Sequence, residues 1–388
     1  MMRRNETIEC LQKDIVIPDI VQQKADLAFA RIRDERTQTG HKPVVRIRKR
    51  TVGAFAAAAV LMLGTMGVFA AAYFPWGRGM TEELRATESQ KQFLEGTQMV
   101  NPVYESAVES DITITALHTI TDGRFARLSF QVEGYELEEG ACPWFEQVVI
   151  EIDGGNVYSQ LGGGFFDGFR RGSDTYVDGT PIETRSDGSL VPRYRDEDGS
   201  MEYDMLLMTE ADSFIEKTIH VEFHNLGIYD TANHQFVPGV EGSWAFDFNL
   251  NGSDQVKSYE MAEELEGSGA AVTHAEISPI SLTVTYEMPR QMIESEAVDE
   301  NGVVSKYTTT ARPPRIIGVR LKDGTLLTDI ADGGGEGYCG LTTNTYQASF
   351  ATGYIIDPEQ VDALLFIKAD TEGDAPFTEE NLYIIPLP

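Results

Sequence analysis

Residues 112–134 read ITITALHTITDGRFARLSFQVEG, and this stretch decides the fold. Its second half alternates cleanly, so that Ala126, Leu128, Phe130 and Val132 share one face. Successive side chains of a strand point to opposite sides, so the pattern predicts a strand with one face in a core. Asp122 and Gly123 sit between the two halves, a pair suited to the positive-φ positions of a two-residue hairpin turn. Two β-branched, alternating runs joined by Asp-Gly predict an antiparallel hairpin.

Working outward, the same grammar recurs. QVVIEIDGG (147–155) directs Val148, Ile150 and Ile152 inward and turns at Asp153 and Gly154. TIHVEF (218–223) does so with Ile219, Val221 and Phe223, and WAFDFNL (244–250) with Trp244, Phe246, Phe248 and Leu250. Half-buried strands at this spacing predict an antiparallel β-sandwich over residues 105–252. Residues 161–204 are Gly-rich and charged without a clear period, and read as a long loop or insertion. NGSDQ, an acidic run and GSG then interrupt the pattern over 252–270. A second sandwich is expected over 253–388: ISLTVTYEM alternates through Leu282, Val284 and Tyr286, and RIIGVRLKDGTLL through Ile317, Val319 and Leu321 to a turn at Asp323 and Gly324. ALLFIKA and LYIIPLP supply closing strands.

Upstream the chemistry changes. Residues 52–74, VGAFAAAAVLMLGTMGVFAAAYF, are 23 residues with no charge. As a helix they reach about 34 Å, enough for a hydrocarbon core of about 30 Å. RIRKR (46–50) stands before them with four basic residues, and Phe74, Pro75 and Trp76 follow. Basic flanks stay cytoplasmic, so residues 1–50 are expected inside, 51–74 as a transmembrane helix, 75–104 as a stalk, and both sandwiches outside. Ala70, Ala71 and Ala72 would suit a signal-peptide cleavage site, but a 50-residue leader and so long a core favour an anchor. Gly53/Ala57 and Gly67/Ala71 are small-residue pairs through which two such helices could meet.

Charge divides at the same place. Residues 1–51 carry 12 basic and 7 acidic side chains; of 31 basic and 62 acidic in the whole chain, 19 and 55 follow, a net of −36. Such a surface repels phosphate backbones and excludes nucleic acid as an outer partner. Cys10 is on the inner side, and Cys142 and Cys339 lie 197 residues apart, so no disulfide scaffold and no CxxC motif is expected.

The inner segment offers one helix, PDIVQQKADLAFARIRDER, with Pro18 at a first helical position. Val21, Ala25, Ala28 and Ile32 form a stripe with Leu27 beside it, the candidate partner-binding residues. A lone amphipathic helix of this length is marginal by itself: it lies on the membrane surface, has no stable fold, or docks in a groove on a cytoplasmic partner.

The outer part carries only partial matches to catalytic and metal motifs. His220, Glu222 and His224 share a strand face, but alternate residues are about 6.8 Å apart, so the histidines cannot share one ion directly; a pair with Glu222 and His234 is the conceivable set. RDEDGSMEYD (195–204) has Asp196 and Asp198 in calcium-loop positions but Ser200 and Met201 where an acid or amide and Gly are required. LGGGFFDGF and ADGGGEGY lack the Lys-Ser/Thr of a phosphate loop, and neither GxSxG nor HExxH occurs. No catalytic residue, cofactor or metal ligand is therefore assigned, and no enzyme is expected. Phe165, Phe166 and Phe169 either form an exposed patch or fold back as a plug.

On IPDIVQQKADLAFARI, SDITITALHTITDGRFARLSFQVEG and VEGSWAFDFNL, the chain resembles the single-pass, anti-sigma-factor-like membrane proteins of low-GC Gram-positive bacteria. These carry an uncharacterised extracellular domain and are encoded beside extracytoplasmic-function sigma factors. The part beginning at Ser278 and Pro279 resembles the immunoglobulin-like domain that often follows. The resemblance implies an integral cell-membrane protein whose inner segment restrains a sigma factor while its outer, immunoglobulin-like sandwiches sense the envelope through an unknown ligand. It offers no catalytic residues. The zinc-binding His/Cys set of one anti-sigma class is missing from residues 1–50, so sigma binding rests on the helix. The competing reading is a membrane-tethered surface module for glycan or protein, without signalling.

Overall fold

Strand propensity is realised almost everywhere the alternation predicted it. The computed structural model describes residues 76–388 except 139, 156–157, 210–212, 299–303, 369–376 and 378. The apolar segment 52–74 and the inner helix with Val21, Ala25, Leu27, Ala28 and Ile32 lie outside the described residues. Among those described, no helix is long and apolar enough to cross a membrane.

Two helices come first, α1 (Arg78–Glu83) and α2 (Glu88–Gly96). Then β1 (Val100–Glu109), β2 (Ile112–Thr121), β3 (Phe125–Glu133), β4 (Pro143–Ile152), β5 (Ser159–Phe165), β6 (Met201–Met208), β7 (Lys217–Asp230) and β8 (Gln235–Leu250) build two antiparallel sheets, ordered β1-β2-β3-β6-β5 and β4-β7-β8. Their inward faces meet in one core. The predicted set Ala126, Leu128, Phe130 and Val132 is at most 1% exposed there, beside Ile219, Val221, Phe223, Trp244, Phe246 and Leu250. Phe130, Phe145, Tyr203, Phe223 and Phe246 pack ring to ring at centroid distances of 4.6–5.6 Å.

After residues 251–256 the chain enters β9 (Lys257–Leu265), β10 (Ala270–Ile277) and β11 (Ser281–Glu287). An isolated hairpin follows, β12 (Met292–Val298) with β13 (Val304–Thr310), then β14 (Ile316–Leu321), β15 (Leu326–Thr328), β16 (Ala331–Tyr338), β17 (Thr345–Thr352), β18 (Val361–Ile367) and β19 (Leu382–Pro386). Sheets β16-β17-β11-β10-β9 and β15-β14-β18-β19 enclose a second core around Val272, Val284, Tyr286, Val319, Leu364 and Phe366.

Three readings need correction. Residues 76–99 are no stalk. Met80, Leu84 and Leu94 are fully buried, and α2 carries a Thr87/Gln90 capping box, so this segment folds onto the body. Pro102 lies inside β1, which tolerates it as an edge strand with a register shift there. The Asp122 turn joins β2 to β3 without positive φ at either central residue. It is held by the Asp122 carboxylate, which accepts from the backbone N–H groups of Arg124 (2.8 Å) and Phe125 (2.7 Å). By contrast Asp153 and Gly154 do take φ of +50° and +73°.

Residues 161–204 are more ordered than their composition suggested. They contain β5 and the start of β6, and between them a repeated turn. At Asp178-Gly179-Thr180, Asp187-Gly188-Ser189 and Asp198-Gly199-Ser200, the Asp carboxylate accepts both N–H and O–H of the residue two ahead, at 2.6–2.9 Å. The Gly holds φ between +82° and +88° each time.

Candidate functional site

The alternation of β3 predicts that Arg127 and Ser129 face water, yet each is 1% exposed. Both faces of the central sheet are covered: one by the first core, the other by α1, α2 and the second sandwich. This second face is a seam. Across it Arg127 Nη1 donates to Glu83 of α1 (3.0 Å), and Nη2 to Asp332 of β16 (2.7 Å) and the Thr352 carbonyl of β17 (3.1 Å). Arg171 Nη1 donates to Asp332 (2.5 Å) and the Glu83 carbonyl (3.1 Å). One buried guanidinium thus ties the first sandwich, the helical segment and the second sandwich together. The helices add their own links: Arg85 lies 4.2 Å over the Tyr354 ring, and Gln90 Nε2 donates to the Ile355 carbonyl (2.9 Å).

The β3–β6 register places Ser129 opposite Asp204 and Gln131 opposite Glu202. Glu202 accepts from the Arg78 (2.8 Å) and Gly79 (2.7 Å) amides, capping α1, whose own Gly77 supplies no side-chain cap. Space favours glycine at Gly79: a Cβ there would run into Asp204 Oδ2 and come within 3.0 Å of Phe166 Cβ. Asp204 is 5% exposed, and neither carboxylate oxygen has a hydrogen-bond partner.

Burial, then the charges of Glu83 and Glu202, push the Asp204 carboxyl well above the usual carboxylate range. The Ser129 hydroxyl opposite it, and Arg127 after that, draw its carboxyl the other way. Burial also raises Glu83, against the pull of Arg127, and raises Glu202 against its two amide donors. For Asp332 burial acts upward too, but Arg127 and Arg171 together hold it below its ordinary value. Burial, with Lys91 adding to it, lowers His118 to about 3, so its ring is neutral beside Trp76.

A raised carboxyl stabilises the fold below the ordinary carboxylate range and loses that contribution as pH rises to the folded value. Asp204→Asn should therefore match the wild type below about pH 4 and exceed it toward neutrality. The gap should be about 1.4 kcal/mol for each unit by which the native carboxyl is raised. Urea unfolding at several pH values measures it, and an unchanged pH slope in the variant would remove Asp204 as its source.

A cavity of about 380 Å³ opens beside this cluster, lined by Arg127, Arg171, Asp204, Asp332, the glycines of β5 and Phe166. A second, of about 370 Å³, is lined by Asp122, Thr209, Asp254 and Ser278. There the Asp122 carboxylate is fully engaged, by its two turn amides and by the Ser278 (2.5 Å) and Ser281 (2.6 Å) hydroxyls. The satisfied cluster is a structural tie between the sandwiches. The unsatisfied one is the candidate site.

The other sequence candidates are placed as follows. Glu222 Oε2 lies 3.9 Å from His220 Nε2 and 3.5 Å from His224 Nε2, and His220 Nδ1 lies 2.9 Å from Asp247, all on a solvated strand face. Asp196 pairs with Arg78 at 2.7 Å, and Asp198 closes its own turn. No group of three or more His, Cys, Asp or Glu is arranged to hold a metal among the described residues. Phe165 folds back onto Phe145 and Tyr203 (5.2 and 5.1 Å) as a plug on the core, whereas Phe166 lies under Arg78 and Phe169 against Tyr176, and all three border the cavity. Sequence reading missed Arg127, Glu202 and Asp204. Their signal was an Arg among the polar residues that alternate along β3 and two acids at alternate positions of β6.

No family model matches the chain, and no curated protein does. A crystal structure of a conserved domain protein from Bacillus anthracis is similar at a TM-score of 0.39 with 11% identity, covering 75% of this chain and 87% of that one.

Proposed function

We propose that the chain is a single-pass, anti-sigma-factor-like membrane signalling protein without enzymatic activity. In this reading residues 1–50 restrain a sigma factor in the cytoplasm, and two immunoglobulin-like sandwiches outside sense the envelope. One observation carries it: the residues that directly follow the apolar, basic-flanked segment 52–74 are built into the seam between the sandwiches. A change in how the sandwiches meet therefore acts first on Glu83, Arg85 and Gln90, the part of the outer module nearest the membrane in sequence. A passive tether has no need of such an arrangement. The pairing of a larger with a smaller antiparallel sheet in each sandwich supports the immunoglobulin-like assignment.

The inner contact is testable. Replacing Leu27 and Ile32 by Asp would put two charges into an apolar groove, each costing several kcal/mol. Capture of a sigma factor by the inner segment in a pull-down should vanish, and the sigma regulon should rise in cells. If the unaltered segment captures no sigma factor, or the double variant leaves the regulon silent, the surface-module reading replaces this one.

A further inference from the structure

Strands β12 and β13 pair with each other, and among the described residues no third strand joins them. A two-stranded hairpin by itself is marginal in water. This one also carries Met292, Ile293, Val304 and Tyr307, half of the large hydrophobic side chains that are exposed among the described residues. Its two outer edges differ. The Ala311 amide donates to the Gln291 carbonyl (2.7 Å), and the register runs on without a shift, so Ile293/Thr309 and Ser295/Tyr307 are the hydrogen-bonded pairs. The alternate residues therefore turn their N–H and C=O groups outward: Met292, Glu294 and Glu296 on β12, and Val304, Lys306, Thr308 and Thr310 on β13. Two carboxylates stand along the free edge of β12, a guard against pairing. The sequence of β13, VSKYTTT, has a single charge, and Lys306 is matched by Glu296 of the same hairpin (2.9 Å).

We propose that β13 is a dimerisation edge, pairing antiparallel with β13 of a second copy of this chain about a two-fold axis at Tyr307. In that register Lys306 faces Thr308 of the second copy, Ser305 faces Thr309 and Val304 faces Thr310, so every outward N–H of the strand meets a carbonyl. The two Tyr307 rings become a cross-strand aromatic pair, and the hairpins join as a four-stranded sheet. Charge decides which edge a second copy can use. Two copies of a chain with a net charge of −31 repel one another, so a contact between them favours an edge without carboxylates. The same operation on β12, centred on Ser295, sets Glu294 against Glu296 of the second copy and is disfavoured. An edge of seven residues makes a small interface, so the contact is weak and reversible, and a covalent reporter is the way to read it. The inference rests on the hairpin alone and stands whatever residues 1–50 bind.

The test uses the full-length chain in neutral detergent, with Cys10, Cys142 and Cys339 replaced by Ser. Tyr307→Cys puts a thiol on the two-fold axis, in a non-hydrogen-bonded pair whose Cα atoms lie about 4.5 Å apart, within reach of a disulfide. Copper phenanthroline should convert it to a dimer at least tenfold faster than Ser295→Cys, whose thiol is on the same face but one strand away from the join. Adding Thr308→Lys should slow the Tyr307→Cys cross-link at least tenfold. That substitution sets an ammonium against Lys306 of the second copy but opposite Glu294 of its own hairpin, so the circular dichroism melt should be no lower with it than without. The same oxidation is run on whole cells expressing the chain, where the product should again be a dimer of the chain. The proposal is overturned if Tyr307→Cys cross-links no faster than Ser295→Cys, if Thr308→Lys leaves the rate unchanged, or if oxidation in cells joins Tyr307→Cys to another protein instead of a second copy.

Discussion

Arg127→Met should lower the unfolding free energy by about 3 kcal/mol, the low end for a broken buried pair, because it leaves the partly exposed Glu83 without its cation and Asp332 with Arg171 alone. Methionine fills most of the volume, so the loss reports charge and hydrogen bonding rather than a cavity. Restoring neutrality in the double variant Arg127→Met/Asp332→Asn should recover a substantial part of it, since the stranded charge is removed as well. Arg193→Ala is the control: its pairs with Asp178 and Glu183 are exposed and add little. The loss there should stay at about 1 kcal/mol, most of it from the stacking on the Tyr176 ring. Urea unfolding of the three variants decides. Equal effects at Arg127 and Arg193 would mean that the seam is not held by this guanidinium.

Trp244→Ala should cost about 3–5 kcal/mol by a different route. The indole is fully buried in the first core, and its Nε1 donates to the Ile112 carbonyl at 3.2 Å. Its removal opens a cavity and loses that hydrogen bond. Trp244→Phe should cost less, keeping most of the apolar contact while losing the hydrogen bond. A melting temperature within a degree or so of wild type for the alanine variant would contradict the placement of Trp244 in the core.

The two cores were legible because they are written in period two. Ala126 to Val132, Ile219 to Phe223 and Trp244 to Leu250 each alternate, and each apolar set lies inside. The candidate site was not legible, for the same reason. Alternation marks which residues avoid water; it cannot tell a polar face against solvent from one against a second domain. Arg127 and Ser129 therefore read as surface, while Glu202 and Asp204 fell within the stretch read as a loop. Strand β6 hid itself as well: MEYDMLLM is buried on both faces and begins in acidic sequence, so it offered no clean period. The Asp-Gly-Ser/Thr tripeptide that makes the turns before it recurs at 178, 187 and 198, at uneven spacing that gives no period.

The central claim is that α1, α2 and both sandwiches share one cooperative seam closed by Arg127. Amide hydrogen exchange on the full-length chain, wild type against Arg127→Met, tests it most directly. The account predicts that residues 88–96 and 345–352 lose protection together in the variant, while 244–250, deep in the first core, stay protected. Loss confined to β3, with 88–96 and 345–352 unchanged, would contradict it.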